Sequence, residues 1–239
     1  MHIVERPSPN QDERAGGRSP DLLVLHYTGM QTAAEALARL CDPVAKVSAH
    51  YTIDEDGTIY AHVPEERRAW HAGISFWAGD HNVNGCSLGI ELVNPGHEFG
   101  YRPFADAQIE ALIGLVADIR TRHPIQAHRV VGHSDVAPAR KQDPGEFFPW
   151  KHLADYGIGL WPETSSRHLR GAVDAALARF GYGIPPFVDW PLEKTIAAFQ
   201  RRFRPAQVTG LWDHECGRLL ESLLALVDSD TSRMAKVRD

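Results

Sequence analysis

The chain has 239 residues, 43% of them apolar, which is enough for one large globular unit with a smaller one and for a real hydrophobic core. Its net charge of −6, with no dense Lys/Arg patch, excludes a nucleic-acid binder held by phosphate contacts. Thirteen histidines stand against only three cysteines, Cys41, Cys86 and Cys216, whose spacing suits neither a disulfide framework nor a zinc finger, so any metal must be held by histidine and carboxylate.

The first ten residues are polar and proline-punctuated, without the charged-then-apolar pattern of a secretory signal. No apolar run approaches the roughly 20 residues that a membrane span needs. The expectation is a cytoplasmic protein, with the periplasm as the alternative. Residues 1–20 read as an irregular lead-in. Asp21 to His26 is a short apolar run, expected to be a buried strand, and Thr32 to Cys41 has helical spacing. Ala49 to Ile53, Asp56-Gly57 and Thr58 to Tyr60 together predict a hairpin closed by an Asp-Gly turn. Ser87 to Leu92 alternates, with Leu88, Ile90 and Leu92 on one side and Gly89 and Glu91 on the other. Asp106 to Thr121 is amphipathic, with Ile109, Leu112, Ile113, Val116 and Ile119 on one face. Arg129 to His133 predicts another strand, followed by a proline-containing loop to Pro149. This order of elements predicts an α/β fold, a sheet flanked by helices.

After Trp161 the pattern becomes purely helical: Ser166–Phe180, Pro191–Phe203 and Asp213–Val227, broken by Gly181 to Pro186 and by Pro205 to Trp212. This places a boundary near residue 163, giving units at 1–163 and 164–239.

Chemistry gathers where the strands end. His26 closes one apolar strand and His133 another, and in an open α/β sheet groups at strand ends converge. Asp143, ten residues after His133, can fold back beside it. Two imidazole nitrogens and one carboxylate oxygen satisfy three zinc positions and leave a fourth for water. Lys141 shares a side with Asp143 if the segment is extended, where its cation can steady an oxyanion. Glu91 faces away from the apolar side of its strand and can serve as general base. Among the other histidines, His50 and His71 are expected to line the pocket. His97, His123, His128, His152, His168 and His214 fall in loops or helix flanks without a matching partner.

Five segments together resemble the type 2 N-acetylmuramoyl-L-alanine amidase family: Leu23 to Thr28, Ser48 to Gly57, Ala69-Trp70-His71-Ala72-Gly73, Ser87 to Leu92, and Val131 to Gly145. They follow the family's order over roughly residues 20–155. The resemblance implies a mixed central sheet flanked by helices, His26, His133 and Asp143 as zinc ligands, and Glu91 with Lys141 as the catalytic pair. It implies hydrolysis of the amide between (1,6-anhydro-)N-acetylmuramic acid and L-alanine, muropeptides as partners, and a role in wall degradation or recycling. No nucleic-acid or membrane partner is expected, and the chain is expected to be a monomer. Trp70, His71, Asn84 and Arg67 (or Arg68) are the expected substrate contacts. The tail, with Ala197-Ala198-Phe199-Gln200 and Thr209-Gly210-Leu211-Trp212, is similar to a three-helix peptidoglycan-binding domain. Phe199, Phe203, Leu219 and Leu223 equally suit a plain packing core. Two rival functions use the same cleft: a muropeptide sensor that does not cut, and a stem-peptide peptidase.

Overall fold

The structure is a computed structural model that describes residues 2–163 and 171–237. The chain runs through β1 (Ile3–Glu5), β2 (Gln11–Glu13), β3 (Leu22–Tyr27), α1 (Ala33–Cys41), β4 (Tyr51–Ile53), β5 (Ile59–Ala61), β6 (Arg67–Ala69), α2 (Val83–Cys86) and β7 (Ser87–Leu92). It continues through α3 (Gly96–Phe99), α4 (Asp106–Arg122), β8 (Val130–Gly132), α5 (His133–Val136) and α6 (Trp150–Ala154). The tail carries α7 (Val173–Phe180), α8 (Leu192–Phe203) and α9 (His214–Val237).

One six-stranded sheet, in the order β1-β5-β4-β7-β3-β8, organises the molecule. Its pairs are parallel except for the β4–β5 hairpin, so the sheet is mixed. β3 lies between β7 and β8 and is apolar on both faces, because both faces are covered. Its residues alternate between two layers. Leu23 and Leu25 join Leu88, Ile90 and the α4 residues Leu112, Leu115 and Ile119. Leu22 and Val24 join Trp77, Val131 and the tail residues Phe180, Phe199, Phe203 and Leu223. The tail helices therefore share a core with one face of the sheet.

The sequence reading and the structure differ in places. The lead-in contributes β1, which pairs parallel with β5, and β2, which pairs antiparallel with β6. On α4, Leu115 is buried and Ile113 only partly so, because the covered stripe is turned slightly, toward Gln108 and Leu115 and away from Ile113. α7 starts at Val173 and α9 runs on to Val237; the expected start at Ser166, like His168, lies outside the described residues. Gln200 is fully buried: its amide donates to the Leu211 carbonyl at 2.7 Å and accepts from the Thr209 and Gly210 N–H groups, each at 2.8 Å. The Phe-Gln signature in α8 thus pins the following turn. Among the described residues no helix is long and apolar enough to cross a membrane.

Candidate metal centre and cleft

His26, the last residue but one of β3, is in register with Glu91 of β7, so the two side chains leave the sheet on the same face, side by side. β8 delivers the chain to His133, the first residue of α5. The following loop returns because the Ser134 N–H donates to the Asp143 carbonyl at 2.8 Å. Gly132 allows this return, since a Cβ there would lie 2.7 Å from the Pro144 ring.

Three atoms then meet. His26 Nδ1 lies 2.9 Å from His133 Nδ1 and 3.1 Å from Asp143 Oδ2, and His133 Nδ1 lies 3.0 Å from the same oxygen. All three residues are buried, and together they form a group able to hold a metal ion. Their outer atoms set the protonation. His133 Nε2 is 3.1 Å from the Ala72 carbonyl, which can only accept, so the proton sits on Nε2 and Nδ1 carries a lone pair. His26 Nε2 meets His71 Nδ1 at 3.0 Å, and His71 Nε2 meets Ser87 Oγ at 3.2 Å. The Ser87 hydroxyl donates to the Val83 carbonyl, so protons run outward along this chain and His26 Nδ1 also presents a lone pair. Two lone pairs and a carboxylate oxygen converging without a shared donor repel one another unless a cation lies between them. Ligands about 2 Å from a tetrahedral zinc are separated by roughly 3.3 Å, close to the observed spacing, and two nitrogens with one oxygen is a zinc-compatible set. The residues fit a metal ion.

The electrostatics agree with a site built for a cation. Burial, then the neighbouring His133, lowers His26 to about 4, which keeps it neutral with a lone pair able to bind a cation. Burial works to raise Asp143, but His133 and His26 hold it far below the usual carboxylate range. Glu91 moves the other way: burial and the Asp143 charge raise it well above an ordinary glutamate, with Lys141 opposing. Glu91 as a whole is half-buried, yet its Oε2 is shut from solvent without a hydrogen-bond partner. Glu91, Lys141, His133 and Asp143 all line one open cleft of about 610 Å³.

The cleft also settles where the other expected residues lie. Trp70 and His71 line it, while α1 contributes Ala36, Arg39 and Leu40 to another wall. His71 is held against the sheet by Gly89, where a Cβ would come within 2.5 Å of its ring. Three of the expected residues do not line this cleft. Arg67 is outside the cleft, on β6, bonded to Gln11 and paired with Glu13, while Arg68 pairs with Asp12; both are drawn to the acidic β2 strand. Asn84 braces the wall from behind, its Oδ1 accepting from the His71 and Ala72 N–H groups at 3.2 and 2.7 Å. His50 is buried behind the wall, where Nδ1 accepts from the Gly89 N–H at 2.9 Å.

Sequence reasoning missed Tyr27, Arg39, His97 and Arg140 as cleft residues. His97 joins Tyr27 and Glu146, at 2.9 and 2.8 Å, on the rim. Arg140 donates to the Ala72 and Ile74 carbonyls, tying the His133–Asp143 loop to the Trp70–Ile74 wall. Its adjacency to Lys141 was the available signal; His97 offered none.

This geometry can be set beside known proteins. The sequence profile described as N-acetylmuramoyl-L-alanine amidase matches residues 16–146. The chain is 38% identical to the N-acetylmuramoyl-L-alanine amidase AmiD of Escherichia coli K12, over 95% of this chain and 92% of that one. It is 36% identical to the 1,6-anhydro-N-acetylmuramyl-L-alanine amidase AmpD of Enterobacter cloacae, over 62% of this chain and 86% of that one. Among solved structures, E. coli AmiD bound to anhydro-N-acetylmuramic acid-L-Ala-D-γ-Glu-L-Lys superposes with a TM-score of 0.77 at 37% identity, covering 90% and 92% of the two chains. Pseudomonas aeruginosa AmpDh3 with an anhydromuramic pentapeptide gives 0.79 at 35% identity, covering 89% and 94%. Likeness of this extent, on a mixed sheet with the same helical flanks, means that the chain belongs to the N-acetylmuramoyl-L-alanine amidase family and is an amidase of it.

Proposed function

We propose that this protein hydrolyses the lactyl amide between N-acetylmuramic acid and L-alanine in muropeptides, including those ending in the 1,6-anhydro sugar. The reading assigns zinc to His26, His133 and Asp143, the general base to Glu91 and oxyanion stabilisation to Lys141. The observation that carries it is the convergence of two imidazole lone pairs and a carboxylate at about 3 Å, opening onto a cleft that also holds an unpartnered glutamate. The substrate named in the AmiD complex and the anhydromuramic pentapeptide in the AmpDh3 complex support the anhydro-muropeptide assignment.

A zinc ion at this point supplies Lewis acidity, lowering the pKa of a coordinated water and polarising an amide carbonyl. The chain's own residues do the rest. His71 and the Ala72 carbonyl hold the outer N–H groups of His26 and His133, fixing both rings with Nδ1 inward. Glu91, raised by burial and by Asp143, is more basic than a glutamate in water. Its free Oε2 takes the proton of the attacking water and passes it to the departing L-alanyl nitrogen. Lys141 offsets the negative charge that gathers on the former carbonyl oxygen. Trp70, on the cleft wall, offers a flat apolar face to the sugar or the peptide.

The test is incubation of metal-analysed protein with an anhydro-muropeptide, with and without chelator, read by mass spectrometry. Free anhydro-sugar and intact L-alanyl peptide are expected, abolished by chelation and restored by zinc. Shortened peptide still joined to sugar would make the protein a peptidase. Unchanged turnover after complete metal removal would refute the zinc assignment. Asp143→Ala is expected to lose zinc and activity together.

A further inference from the structure

The residues that build the site come from residues 26–143, yet the loop carrying two of the three metal-binding residues is gripped by the tail. Arg202 of α8 is buried with Asp135 of α5, their side chains only 2% and 1% exposed, with Nη1 2.6 Å from Asp135 Oδ2. That oxygen also accepts from the Gly132 N–H at 2.8 Å, and Asp135 Oδ1 accepts from the Tyr182 hydroxyl at 2.6 Å. Arg202 further donates to the Val130 carbonyl at 2.9 Å and lies over the Trp150 ring, 4.1 Å from its centre. One residue earlier, Arg201 donates to Glu146 Oε1 at 2.9 Å. His133, Lys141 and Asp143 therefore sit on a segment whose start is held by Arg202 and Tyr182 and whose end is held by Arg201.

We propose that Arg201 and Arg202 are positioning residues for the amidase site, and that the tail serves as a clamp which keeps the His133–Glu146 loop in ligating geometry. Neither side chain reaches the reacting atoms. Arg202 acts through Asp135, two residues from His133, and Arg201 acts through Glu146, three residues from Asp143. The inference rests on the metal reading above and adds to it that ligand geometry depends on a region of the chain that supplies no ligand. Surrounding groups that orient ligands are each worth 10- to 100-fold in metal affinity in other proteins.

The experiment uses the full-length chain. Arg202→Lys keeps the buried charge but gives up the two-pronged guanidinium, and Arg201→Gln breaks a partly exposed pair, so both are expected to fold. Arg204→Ala removes pairs with Asp213 and Glu215 on the same helix end, away from the loop, and controls for general weakening of the tail. Zinc affinity is measured by competition with a chromophoric chelator, and kcat and KM on muropeptide with saturating zinc. Expected are a roughly tenfold loss of zinc affinity in each of the first two variants, a lower kcat with KM little changed, and wild-type affinity for Arg204→Ala. Wild-type affinity in both Arg201→Gln and Arg202→Lys would overturn the clamp. So would an equal loss in Arg204→Ala. A wild-type protein that binds no zinc would instead sink the metal reading beneath it.

Discussion

Replacing Gly89 by alanine probes how His71 is seated. Gly89 lies on β7 directly behind the His71 ring, and its absent Cβ would stand 2.5 Å from ring carbon and 2.7 Å from ring nitrogen. Ordinary contact begins near 3.4 Å, so the ring must retreat by about 0.9 Å or the strand must move. The strand is central and paired on both sides, so the ring is the part that yields. It cannot move that far and keep its 3.0 Å contact with His26 Nε2 and its 3.2 Å contact with Ser87. Two costs follow. Overpacking costs roughly 1–3 kcal/mol, a fall in Tm of about 2–4 °C per kcal/mol for a chain of this size. Loss of the His26 partner costs roughly 10- to 100-fold in metal affinity, or about 1.4–2.7 kcal/mol. Gly114, on α4 with open space at its Cβ, is the control: alanine there is expected to be neutral or stabilising by up to about 1 kcal/mol. Calorimetry and zinc competition read the two effects separately. A folded Gly89→Ala protein with wild-type zinc affinity would refute the claim that His71 orients His26.

Glu91→Gln preserves shape, and is expected to retain zinc while turnover falls by on the order of 10²–10⁴; activity within threefold of wild type would remove Glu91 as the base. Gln200→Ala leaves the Thr209 and Gly210 N–H groups and the Leu211 carbonyl without their partner, and should lower stability by about 3 kcal/mol in a melting experiment. An unchanged Tm would show that water or neighbouring groups replace the amide. Glu65 supplies a pH prediction. Burial works to raise it, but hydrogen bonds from Arg122, Tyr51 and His123 bring it down to about 2. A depressed carboxylate contributes stability above its unfolded value near 4.3, and that contribution fades as pH falls toward 2. Discounted for the partly exposed Arg122, it is on the order of 2 kcal/mol, so Glu65→Gln should flatten the stability curve between pH 4.5 and 2. A Glu65→Gln profile that parallels wild type through that window would contradict the assignment.

The convergence of His26, His133 and Asp143 was legible because each signal was local: an apolar run ending in histidine, another such run, and a loop long enough to return. The two-residue period also placed Glu91 on the face away from Leu88, Ile90 and Leu92, which lie in the α4 layer. The misses are of another kind. β1 and β2 are three residues long, too short for a two-residue period to show, so only their distant partners β5 and β6 make them strands. Arg67 and Arg68 beside Trp70 suggested ligand contacts, but their hydrogen-bond partners Gln11 and Asp12 lie on β2, 56 residues earlier. Arg14 looked like part of an irregular lead-in; it is buried and donates to the carbonyls of Glu65, Asn84, Gly85 and Ser87. The network of Asp135, Tyr182 and Arg202 joins positions 47 and 67 residues apart, where no periodicity reaches.

The strand order also governs when the molecule can assemble. β3, near the start of the chain, finds its neighbours only at 87–92 and 130–132, and the cover on its second face, begun by Trp77, Val83 and Val131, is completed by residues from 176 onward. During synthesis the cover over Leu22 and Val24 therefore stays incomplete until most of the polypeptide has emerged. Contacts of such long range fold slowly, and the waiting strand is open to mispairing with other chains. His26 on β3, Glu91 on β7 and His133 just after β8 can meet only once those distant strands have paired.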